Sequence, residues 1–130
     1  DLAIVPCKAS MFEARALAKN TAFVRQAQAI RGGQPEAIAV LTMVGRDYRL
    51  TKDMRDATRE LKLRLADTSL TLRQAYADAP GQSTFVWQMG YQARDAADEI
   101  ESLFRELLPE ATNKDVVSFR KGRERVRAGG

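Results

Sequence analysis

Apolar side chains recur along most of this chain at steps of three and four, the period of an α-helix. Phe12, Ala16, Phe23, Ala27 and Ile30 mark the first such segment, flanked by Leu17 and Val24. Ser10 and Glu13 stand at capping-box spacing at its start. Gly32–Gly33 close it, since glycine accepts the left-handed conformation of a helix end. Pro35 suits the first turn of a second, short helix to Val44, with Ile38, Leu41 and Val44 on its apolar face and Val40 and Met43 widening it. The stretch GRDYRL (45–50) reads as a connector.

The third predicted helix is the longest, from a Thr51 cap to Ala79. Met54, Leu61, Leu65, Thr68, Leu72 and Ala75 form a heptad-like seam on it, and Leu63 and Leu70 a second line. Pro80–Gly81 break it. A fourth helix begins after Ser83 or Thr84. Its seam is Val86, Met89, Ala93, Ala96, Ile100, Leu103 and Leu107, broadened by Phe104 and Leu108 and ended by Pro109. So short a turn predicts that the last two helices form an antiparallel hairpin with facing seams. A further segment from Asn113 to about Val126 docks at most one turn, through Val116, Val117 and Phe119. Leu2–Val5 is the one strand candidate. The expected fold is therefore all-α: a single antiparallel bundle of about four helices over residues 1–113, with a basic C-terminal extension over 114–130.

Composition narrows the chemistry. The chain has 130 residues, 45% hydrophobic and 29% charged, which suits one soluble domain. No apolar run approaches the roughly 18 residues of a membrane span, and the opening residues carry no basic n-region of a signal peptide. A cytoplasmic protein without a membrane partner is expected. Its one cysteine, Cys7, forms no intrachain disulfide. There is no histidine, which excludes Ser–His–Asp and Cys–His nucleophile systems and histidine-containing metal sites. No phosphate-cradling glycine loop occurs. The pairs Asp53/Asp56 and Asp95/Asp98, with Glu99 and Glu101, are the carboxylates to test for Mg²⁺, but a hairpin does not bring the two pairs together, and they read as a solvated acidic face. The expectation is a non-enzyme with no cofactor, no metal and no small-molecule substrate.

Charge is the more informative signal. Six of the 21 bases and two of the 17 acids lie from Lys114 onward, an excess of +4, while the remaining 15 bases and 15 acids cancel. Arg120, Lys121, Arg123, Arg125 and Arg127 supply the basic end. Within the neutral body, Lys52, Arg55, Arg59 and Lys62 follow helical steps, preceded by Arg46 and Arg49. Such a stripe tracks phosphates; alternatively, Glu101, Glu106 and Glu110 of the fourth helix pair with it across the hairpin. Trp87 and Tyr91, four apart, form a candidate partner surface or base-stacking platform unless they pack inward.

Two functions follow as expectations. One is a non-catalytic subunit that contacts nucleic-acid backbone within a larger assembly, beside other protein subunits. In size and charge, though in no motif, the chain resembles the small helical subunits of CRISPR effector complexes. The other is a structural or adaptor protein whose helix faces, at Trp87–Tyr91 or Leu63 and Leu70, bind a protein or a second copy.

Overall fold

The computed structural model describes residues 1–8, 10, 13–46 and 48–110. In chain order these form β1 (Leu2–Lys8), α1 (Glu13–Ile30), β2 (Glu36–Thr42), α2 (Tyr48–Glu60), β3 (Arg64–Leu65), α3 (Gln74–Gly81) and α4 (Arg94–Leu107), with single 3₁₀ turns at Val86–Gln88 and Tyr91–Ala93 ahead of α4. The three strands make a parallel sheet in the order β1-β2-β3. The all-α bundle is therefore corrected to a mixed α and β protein, and the resemblance to small all-helical subunits falls with it. The chain divides into two compact units, Asp1–Thr71 and Leu72 onward. The boundary expected at 113–114 and the segment 113–126 lie outside the described residues.

In the first unit, the predicted second helix is a strand. Ala37–Leu41 is a continuous apolar run, buried at every position, which fits the central strand of a parallel sheet covered on both faces. Pro35 follows a cis peptide bond instead of opening a helix. The strand candidate Leu2–Val5 belongs to β1, in which Val5 and Cys7 are buried while Ile4 and Pro6 are exposed, the period of two of a half-buried strand. Register places Val5 beside Ala39 and Cys7 beside Leu41. These four, with Ala37, Leu17 of α1, Met54 of α2 and Leu63, form the core cluster. Each such large apolar side chain contributes about 1.5–3 kcal/mol by leaving water.

Helix α1 occupies the expected span but buries a different face. Leu17 and Thr21 are buried and Val24 is half-buried, whereas Phe23 is 59% and Ile30 85% exposed. The Thr21 hydroxyl donates to the Leu17 carbonyl at 2.8 Å, so it enters the core satisfied. Gly32, at φ 63°, ends the helix as the sequence suggests: the Gly33 amide donates back to the Gln28 carbonyl at 2.7 Å.

The long third helix does not exist. Helix α2 begins at Tyr48, inside the expected connector, and stops at Glu60. Lys62 adopts φ 53°, its amide donates to the Arg59 carbonyl, and the Leu63 amide donates to the Thr58 carbonyl, each at 3.0 Å. This is a Schellman end with lysine where glycine is usual. Leu63 turns into the core and Arg64–Leu65 pair with Ile38–Ala39 as β3. The chain continues beside β2: the Ala66 amide donates to Ala39 and the Leu70 amide to Leu41, both at 2.8 Å.

The second unit is helical among its described residues. Ala79, Val86 and Ala96 form its buried centre, with Ala75, Tyr76, Trp87, Met89 and Ile100 packed against it. The predicted fourth helix is delayed to Arg94. Val86–Gln88 and Tyr91–Ala93 are separate turns, parted by Gly90 at φ 86°. The expected hairpin of two long helices is thus absent.

Candidate nucleic-acid interface

Helical spacing sets Lys52, Arg55 and Arg59 along one strip of α2, next to the strip of Asp53, Asp56 and Glu60. Buried Thr51, Met54 and Thr58, each one residue earlier, hold the adjacent face against the first unit's core, so the exposed basic strip flanks that buried face and the acidic strip lies on the far side. Arg46, Arg49, Lys52, Arg55, Arg59 and Lys62 are all exposed. Of the carboxylates expected to neutralise the strip, Glu101 pairs with Arg105 on its own helix, and the long third helix that the expected cross-hairpin pairing requires stops at Glu60. Arg59 meets Asp56 at 3.4 Å, an exposed contact one turn away and worth little in water. Arg46, Lys52, Arg55 and Lys62 have no carboxylate at ion-pair distance among the described residues.

Beneath the strip lies a cleft of ≈ 250 Å³ lined by Arg55, Thr58, Arg59, Leu63 and Leu65. The turn at Lys62 creates it, because Leu63 and Leu65 fold back under the last turn of α2. The Thr58 hydroxyl donates to the Arg55 carbonyl at 2.7 Å, so its proton is already used. The Lys62 carbonyl accepts from Arg25 of α1 at 2.9 Å.

The remaining sequence-derived residues fare differently. Arg120, Lys121, Arg123, Arg125 and Arg127 lie outside the described residues. Trp87 and Tyr91 do not share a helical face. Trp87 is half-buried and stacks on Phe85 with ring centroids 4.6 Å apart, whereas Tyr91, beyond Gly90, is 84% exposed. Leu63 is buried, so it offers no partner surface. The Cys7 thiol, buried and near Glu13, is pushed up to about 11, first by burial and then by that charge, and is a poor nucleophile at neutral pH.

The acidic positions of α4 are held by arginines. Arg73 donates from two nitrogens to one oxygen of Glu99, at 2.9 and 3.1 Å, and reaches Asp95 at 3.5 Å; Arg94 lies 4.0 Å from Asp98. The Tyr76 hydroxyl sits 3.0 Å from the other Glu99 oxygen and 3.1 Å from the Ala96 carbonyl. Burial, then the hydrogen bond to Glu99, raises the Tyr76 pKa; the same carboxylate raises that of Arg73. No local spacing announces this cluster, since Arg73 and Glu99 are 26 residues apart. No described helix is long and apolar enough to cross a membrane.

No protein-family model matches the chain, and neither curated proteins nor solved structures give a match.

Proposed function

We propose that the chain is a non-catalytic binding protein that contacts nucleic-acid backbone through the basic strip of α2, as part of a larger assembly. The observation that supports this is the exposure of Lys52, Arg55 and Arg59 along one strip, with no carboxylate from another helix at ion-pair distance among the described residues. Arg46, ahead of α2, and Lys62, in the turn after it, add further exposed cations. Guanidinium and ammonium groups so placed bind phosphates by charge and release condensed counterions, without reading sequence. The basic C-terminal residues add charge of the same sign.

The test is binding of labelled single- and double-stranded oligonucleotides of unrelated sequence across salt. Micromolar or tighter binding that collapses with salt, and weakens on the double change Arg55→Glu/Arg59→Glu, agrees with the proposal. Salt-independent binding, or none, contradicts it.

A protein-binding adaptor is the second reading, and α1 favours it. Phe23 and Ile30 stand seven residues apart and face solvent. A stable oligomer in light scattering, dispersed by Phe23→Ser/Ile30→Ser, with no affinity for nucleic acid, supports this reading over the first.

A further inference from the structure

We infer that the cleft beneath Arg55 and Arg59 takes one unstacked base, so that the protein prefers single-stranded nucleic acid. This rests on the backbone-binding reading above and adds a ligand class to it. Three features carry the inference. The cleft is ≈ 250 Å³, smaller than the roughly 300–1,000 Å³ of a pocket for a drug-sized ligand and suited to a single planar ring system. Its lining is mixed in character: the guanidinium-bearing side chains of Arg55 and Arg59, one helical turn apart, and half-buried Leu65, with buried Leu63 at its base. No carboxylate lines it among the described residues, and its buried hydroxyl, on Thr58, is already bonded to the Arg55 carbonyl.

A bare phosphate has no use for the leucine side. A planar base has a use for both, because guanidinium groups stack on base faces and an aliphatic side chain covers apolar ring surface. In a duplex the base faces are occupied by their neighbours, so only its phosphates reach the strip. In a single strand one base turns into the cleft while the flanking phosphates lie along Lys52 and Lys62. Recognition of this kind tolerates any sequence, since every base has a face to offer.

The experiment compares three ligands at one salt concentration, by fluorescence anisotropy with the full chain. They are an oligothymidylate, an abasic phosphodiester strand of the same length, and the duplex of the first. The expected result is that the oligothymidylate binds about tenfold more tightly than the abasic strand, the ratio that one stacked base provides. Leu65→Asn, shown by circular dichroism to remain folded, lowers that ratio toward one. Equal affinity for the base-bearing and abasic strands overturns the inference while leaving backbone binding intact. Failure of every strand to bind overturns the backbone reading and this one with it.

Discussion

The guanidinium group of Arg25, on α1, donates to the main-chain carbonyl of Lys62 at 2.9 Å. Lys62 is the residue that ends α2 in the left-handed conformation. One helix therefore clamps the terminus of the other, at the turn that forms the cleft. The same arginine donates to Gln28 at 2.9 Å, and Gln28 donates to the Pro35 carbonyl at 2.7 Å, which extends the tie to the start of β2. Arg25→Ala is expected to lower stability by about 1 kcal/mol, the worth of a charge-assisted hydrogen bond at an exposed site. Lys62→Gly is expected to raise it by about 0.5–1 kcal/mol, since glycine takes positive φ without strain. Thermal unfolding of the two variants checks both signs.

The face of α1 is tested by a contrasting pair. Leu17 is buried and Phe23 exposed. Leu17→Ala is expected to cost about 2–4 kcal/mol, by lost transfer energy and the cavity left behind. Phe23→Ser is expected to change stability by less than about 0.5 kcal/mol. Urea denaturation of both reads the result, and equal losses would restore the face suggested by simple periodicity.

The Arg73–Glu99–Tyr76 cluster ties the residue ahead of α3 to α4. Glu99→Gln keeps the shape but removes the charge that Arg73 binds. Because the Arg73 side chain is 32% exposed, screening tempers the loss, and about 1 kcal/mol is expected. Tyr76 adds a pH dependence. Its folded pKa is raised above the ordinary 10.0, so the folded state holds the phenol proton more tightly than the unfolded chain. That stabilisation is complete below about pH 10 and is lost as pH rises above it. Tyr76→Phe should flatten this alkaline loss, as followed by chemical denaturation across pH.

Cys7 makes a similar contribution at lower pH. Its thiol moves from an ordinary 9.0 to about 11 in the fold. The associated stability is full below pH 9 and disappears as pH rises through 11. Cys7→Ala should remove the loss in that window. An aromatic disulfide reagent at pH 8 is expected to react slowly with native protein and at once in denaturant, because the thiol is buried and protonated.

The sequence carried some elements more clearly than others, for physical reasons. In α4, Ala96 and Leu103 are buried and Ile100 and Leu107 half-buried, as their spacing indicates, because one helix face meets one apolar partner. In β2, the run Ala37–Leu41 is apolar without interruption, so it satisfies a period of 3.6 as well as a buried strand. Its shortness was the better guide. Lys62 left no stop signal: a left-handed helix end without glycine is silent in sequence, and the leucines beyond it prolonged the helical spacing. The basic strip was legible because Lys52, Arg55 and Arg59 do lie on a helix. The cleft was not, since it depends on the reversal at Lys62.

The most direct measurement is the salt dependence of single-strand affinity for the wild type and for Lys52→Ala/Arg55→Ala/Arg59→Ala. If the strip holds phosphates, the slope of log affinity against log salt falls in magnitude by about 2 in the triple variant, at roughly 0.7 per lost contact. A folded triple variant with an unchanged slope would contradict backbone binding by α2.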